Sequence, residues 1–298
     1  MSKPFRFPIG IELTAIPQIL PRPHLKHMNM IAYQWARLIE YELKTQRIKY
    51  HDCSSDGHCV EASSPILRSM EEAELYYHRV RSIFDKYHLA PKHSDAVCGG
   101  GHIHVGPLKP RQHAKVCRLA CMHPWLNWMF LEPDDTDSSF TFQIKFPHNK
   151  ELQLVKKNIL ENKAPEYDND ITIIRYIKTM YATGKLHKND VHHDWDTLVD
   201  PDSQKGTMEF RLFEAPYSWA EQRLQIEFAL AFVQHAISLP DSFIPAPSDE
   251  QDLSLFGIDR CRKMMRGLFK QLRLDTKSYM TFFERNLDIR ISEQKQLV

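Results

Sequence analysis

The chain has no apolar run near the roughly 20 residues that a membrane span needs, and its first residues, MSKPFRFPIG, lack the apolar core of a secretory signal. A cytoplasmic protein with no membrane partner is the expectation. Net charge is also missing: 39 Lys and Arg stand against 38 Asp and Glu. No overall field therefore draws the protein to nucleic acid or to an anionic surface. Six cysteines in 298 residues are too few for a disulfide scaffold, and free thiols are expected. Internal repeats and low-complexity tracts are absent. What remains is ordinary globular material, 42% hydrophobic and 26% charged, enough to bury a core.

Short strands alternate with longer helices. FRFPIGIELT (5–14) reads as a strand that begins near Pro8. After a proline-rich stretch, residues 24–43 place Met28, Ile31, Trp35, Leu38 and Ile39 at helical spacing. RIKYHDC (47–53) and HCVEAS (58–63) flank Ser54 to Gly57, a hairpin signal. Residues 71–89 form an amphipathic helix with Ala73, Tyr76, Val80, Ile83, Phe84 and Tyr87 on one side. CGGGHIHVG (98–106) and GTMEFRLF (206–213) read as strands. Further helices are predicted over 111–130, with a break at Pro124, and near 149–162, 168–183, 218–238, 257–272 and 275–287. The proline-rich, acidic stretch 241–252 is the expected linker. It divides a single catalytic domain over 1–240 from a helical C-terminal extension over 253–298.

Four of these strands share one pattern. Residues two apart on a strand face the same way, so Glu12 and Thr14 oppose Ile11 and Leu13. His102 and His104 oppose Ile103 and Val105, Glu61 opposes Val60 and Ala62, and Glu209 with Arg211 opposes Met208, Phe210 and Leu212. Isolated acids, imidazoles and a guanidinium are residue types that bind metals and phosphates. If the strands share a sheet, these groups converge, and carboxylates held close together need a cation. Mg²⁺ or Mn²⁺ suits mostly oxygen ligands with one imidazole. Gly99 to Gly101 allow backbone to approach a ligand closely, or form a bulge or a loop leading into the strand.

The segments GIELT, DGHCVEASSP, GGGHIHVG and TMEFRLFEAP, in that order, resemble the motifs of the carboxylate-amine ligase superfamily. The sequence looks like an amidoligase, related in fold to glutamine synthetase and glutamate-cysteine ligase. This resemblance implies an α+β fold: a curved antiparallel sheet of the glutamine synthetase catalytic-domain type, with helices on its outer face. It further implies ATP and a divalent metal, Mg²⁺ or Mn²⁺, acting on a carboxylate that is phosphorylated and then attacked by an amine. By similarity Glu12, Glu61, His102 and Glu209 hold metal. Arg211 and His104 act on the phosphoryl group, and Gly100 and Gly101 lie near the nucleotide. The strand pattern G-x-E-x-E has Thr14 in place of its second acid, which Glu61, Asp56 or a water could replace, or which leaves fewer metals. A phosphotransferase on the same sheet and a binding protein with a degenerate site are the alternative readings.

Other clusters are weaker. His51, Cys53, His58 and Cys59 could chelate zinc, but adjacent His58 and Cys59 point to opposite strand faces. His113, Cys117 and Cys121 lie along one helical stripe, which favours packed thiols. His192 and His193 could border the site, and the acidic stretch 132–137 reads as a solvated loop. Lys145, Lys150, Arg175 and Lys185 are candidates for nucleotide contact that nothing local singles out.

Overall fold

A computed structural model describes residues 4–19, 25–91, 100–109, 112, 113, 115, 116, 119, 199–202, 206–240, 258–281 and 284. The helices expected at 149–162 and 168–183, the linker at 241–252, Gly99, Cys117, Cys121, His192, His193, the 132–137 loop and the four middle-segment cations fall outside these residues. The chain forms two compact units. One comprises Met1–Gly106 with Phe213–Ile226, and the other Pro107–Leu212 with Glu227–Val298.

The first unit is α+β, built on an open antiparallel sheet. Its strands are β1 (Ile9–Pro17), β2 (Asp52–Asp56), β3 (Cys59–Ser63), β4 (Leu89–Ala90) and β5 (Ile103–Val105). They lie in the order β2-β3-β1-β5, with β4 paired to the far end of β1. Thr14 stands opposite Glu61, Glu12 opposite Ser63 and Gly10 opposite His104. Directly paired residues share a face, so the register gathers the polar residues of three strands on one side. Ile9, Ile11, Leu13, Ala15, Val60, Ala62, Ile103 and Val105 occupy the other side and are buried.

Two helices pack against these strands: α1 (Leu25–Thr45) and α2 (Met70–Lys86). Met28, Ala32, Ala36, Ile39 and Leu43 form a fully covered stripe along α1, each large member worth about 1.5–3 kcal/mol of burial. On α2 the stripe is Ala73, Tyr76, Tyr77, Val80, Ile83 and Phe84. Ser69 caps α2 by accepting from the Glu72 amide, and the Glu72 carboxylate accepts from the Arg68 amide at 2.6 Å, a reciprocal arrangement of the capping-box kind.

The strand expected from residue 47 starts at Asp52, and α1 explains the delay. Arg47 adopts the left-handed region (φ 55°), and the Ile48 amide donates to the Leu43 carbonyl, closing the helix as a Schellman turn does. His88 (φ 54°), next to the α2 C-cap Tyr87, is likewise left-handed. Glycine normally fills such positions, and a side chain there costs about 1–2 kcal/mol. With ten glycines in the chain, arginine and histidine take the role.

In the second unit β6 (Val199–Asp202) and β7 (Thr207–Phe210) form an antiparallel pair, with Asp200 opposite Glu209. Helix α3 (Trp219–Ser238) gives its later residues to this unit, where α4 (Ile258–Leu272) also lies. Phe232 meets Phe210 edge-on at 5.9 Å and stacks with Phe228 at 5.6 Å. Tyr279 touches both Phe228 and Phe269. The helices expected as a C-terminal extension thus share a core with α3.

Candidate active site

Glu12 lies at the centre of the polar face. Its flanking residues, Ile11 and Leu13, bury into the helix-covered side, which turns the carboxylate the other way. His102 donates through Nδ1 to Oε2 at 2.8 Å, and His104 donates through Nε2 to Oε1 at 2.7 Å. Each carboxylate oxygen therefore has its own imidazole. Burial would push the Glu12 pKa up, but the two hydrogen bonds and the positive potential of the imidazoles reverse this and hold it well below the usual carboxylate range. An ionised carboxylate is an acceptor with about four lone-pair positions, so both contacting ring nitrogens carry protons.

Glu61 reaches the same region from β3, positioned by its pairing with Thr14. Ligand atoms of Glu12, Glu61 and His102 lie within 4.8 Å of one another, close enough for one cation to bind all three. Burial and the charge on Glu12 push the Glu61 pKa up to about 7, while His102 opposes them. Two acids beside one imidazole is a donor set suited to Mg²⁺ or Mn²⁺, so these residues fit the expected metal.

This yields a pH prediction for the metal-free protein. A carboxyl whose pKa is raised in the folded state stabilises the fold below its ordinary value near 4.5. That contribution is lost as pH rises through about 7. Denaturation midpoints measured in chelator between pH 5 and 8 should fall with rising pH in the parent, and Glu61→Gln should remove most of the fall. Equal slopes in the two proteins would show that Glu61 does not carry the charge strain.

The turn leading into β5 is clamped on both sides. Thr14 donates its hydroxyl to the Gly100 carbonyl. Gly100 forms a bridge with Glu214, and the Gly101 amide donates to the Phe213 carbonyl at 2.9 Å. A side chain at residue 100 would come within 3.0 Å of His102 Nε2, and one at 101 would sit 2.5 Å from the Glu214 carbonyl oxygen. The close approach that the glycines permit is thus, at Gly101, to the protein's own backbone. Residues not identified from the sequence complete the support. Ser64 accepts from the Ile11 amide at 2.9 Å, and buried Gln225 donates to the Glu214 carbonyl at 3.0 Å. The serine before Pro65 was a readable signal, whereas a backbone carbonyl at Glu214 leaves none.

Glu209 and Arg211 belong to the second unit. Glu209 is buried on β7, and Arg211 follows the strand's end, donating through Nη1 to Glu209 at 2.9 Å. The His51–Cys59 set does not gather around one point. Cys53 donates to the Ala36 carbonyl of α1 at 3.5 Å, and burial pushes its thiol up to about 12. Cys59 packs with Ile16 and Met28. His113 is buried and donates to the Gly206 carbonyl at 3.3 Å.

A search of curated proteins returns no match. Among solved structures, one described as "Apo GmaS without ligand" is 11% identical, with a TM-score of 0.48, covering 98% of this chain and 70% of that chain. Another, "Crystal structure of novel glutamine synthase homolog", is 12% identical with a TM-score of 0.44, covering 98% and 68%. The family described as "Putative amidoligase enzyme" matches residues 36–233. That span takes in the Glu61 hairpin, the histidine strand and β7, so the chain belongs to this amidoligase family.

Proposed function

We propose that the protein is an ATP-dependent, divalent-metal-dependent carboxylate-amine ligase that forms an amide bond through an acyl phosphate. The observation that carries this reading is the buried Glu12 carboxylate held between two imidazoles, with Glu61 and His102 at ligand distance from it. Family membership supports the amide-forming chemistry.

In this reading Glu12, Glu61 and His102 hold a divalent cation, and the resemblance adds Glu209. When bound, the cation supplies charge neutralisation and alignment for phosphoryl transfer. Glu12 and Glu61 bring the negative charge that attracts it, and the hydrogen bonds from His102 and His104 fix where that charge sits. Arg211 would steady the transferred phosphoryl group through the planar donor fork of its guanidinium. His104 would lie near the phosphate or substrate, and Gly100 and Gly101 near the nucleotide. The substrate carboxylate takes the terminal phosphoryl group of ATP and ADP leaves. The amine then attacks the acyl carbon, phosphate departs, and the amine gives up a proton as the amide forms. No nucleophilic side chain is required.

The test is incubation with ATP, Mg²⁺ and arrays of acid and amine pairs. The reading requires one amide formed for each ADP and phosphate released. A phosphorylated acceptor as the final product would indicate a phosphotransferase, and no turnover with no binding of a non-hydrolysable ATP analogue would indicate a binding protein.

A further inference from the structure

We propose that Thr14 is a positioning residue for His102, acting through Gly100. The proposal rests on the metal-binding reading above and concerns how this chain builds that site. Thr14 is buried, lies two residues beyond Glu12 on the same strand face, and stands opposite Glu61. A carboxylate there would add a ligand. The hydroxyl instead donates to the Gly100 carbonyl, which a carboxylate cannot do because it only accepts. The substitution exchanges a charge for a donor.

Gly100 makes the exchange matter. A Cβ added to it would meet His102 Nε2 at 3.0 Å and the ring carbons Cδ2 and Cε1 at 3.6 Å, so the imidazole rests directly over this backbone. His102 Nδ1 is held by Glu12 at 2.8 Å. The ring is therefore fixed at one nitrogen by Glu12 and supported at the other by Gly100, whose carbonyl Thr14 anchors. Glu214 pairs with the same glycine, and the hydrogen bond of that pairing runs from the Gly101 amide to the Phe213 carbonyl, while Thr14 bonds the Gly100 oxygen. His104 stands across from Gly10, away from this anchor. Loss of the Thr14 hydroxyl should disturb one histidine and spare the other.

The experiment compares the full-length parent with Thr14→Val, which keeps the shape without the hydroxyl, and Thr14→Ser, which keeps the hydroxyl. Two quantities are read: Mn²⁺ affinity by calorimetry, and imidazole ¹⁵N–¹H resonances of His102 and His104 without metal. Thr14→Val should weaken Mn²⁺ binding about 10-fold, at the lower end of the roughly 10–100-fold cost of losing a group that orients a ligand. It should move the His102 resonances and leave those of His104 in place, and Thr14→Ser should restore both readings. Gly100→Ala, which presses on the ring without touching Thr14, should move the same His102 signals. Parent-like values in Thr14→Val would overturn the assignment. So would a Thr14→Val protein without cooperative melting, because Thr14 would then be a framework residue. If the parent itself binds no Mn²⁺, the metal reading fails, and the His102 resonances still decide the role of Thr14.

Discussion

Gly101→Ala should lower the stability of the protein by about 2–3 kcal/mol, the upper part of the range for forcing an atom into a filled site. The added methyl would sit 2.5 Å from the Glu214 carbonyl oxygen and 3.0 Å from its carbonyl carbon. Both obstacles are backbone, and neither can swing aside as a side-chain tip would. Gln225 also holds this carbonyl, donating to it at 3.0 Å, so the strain falls on the bond between the Gly101 amide and Phe213. Chemical denaturation measures the loss, and two other glycines calibrate it. Among the described residues a Cβ at Gly10 meets nothing nearer than the His104 Cβ at 3.7 Å, so alanine there should be nearly neutral. At Gly267, within α4, nothing among the described residues lies within 4 Å, and alanine should stabilise the helix by roughly 0.5–1 kcal/mol. A Gly101→Ala protein as stable as the parent would mean that the 213–215 segment gives way easily and does not clamp the turn.

Glu12→Gln should weaken divalent-metal binding by more than about 100-fold, beyond the roughly 10–100-fold cost of losing an orienting partner. The variant removes the charge and replaces one acceptor with an amide N–H₂ that faces a ring N–H, so one imidazole is left without its acceptor. Stability at neutral pH should also fall, because a carboxylate held below its ordinary value stabilises the fold there and the amide does not. Calorimetry beside thermal melting separates the two effects. The acid limb gives an independent check on sign. A carboxylate held below its ordinary value near 4.5 stabilises the fold above that pH, and the contribution is lost as pH falls. The parent should therefore lose stability on acidification more steeply than Glu12→Gln. Binding unchanged in the variant would remove Glu12 from the metal site.

Alternation was enough to reveal much of this arrangement. GIELT, HIHV and CVEAS each carry their chemistry on one strand parity, and sheet pairing converts parity into a shared face. The helices were similarly legible because each apolar stripe must be covered. Local backbone geometry was harder to read: nothing in the residue type of Arg47 announces a left-handed helix end, and β2 consequently begins five residues later than its composition suggests. The clamp on Gly101 was also hidden, since its partners are main-chain atoms of Phe213 and Glu214. For Thr14 the signal was visible as a missing acid, and its meaning came from the bond to Gly100.

The first unit is assembled from two separated pieces of chain, residues 1–106 and 213–226. During synthesis β1, β3 and the histidine strand leave the ribosome first, and the amide of Gly101 must wait for the carbonyl of Phe213 until the whole intervening stretch has been made. Ordering the turn before His102 thus requires closure of a long loop, an entropic cost that slows folding more than it weakens the finished structure. A nascent chain halted before residue 213 would hold the acids and imidazoles with one side of the turn still unclamped. The site would reach its final order late in translation.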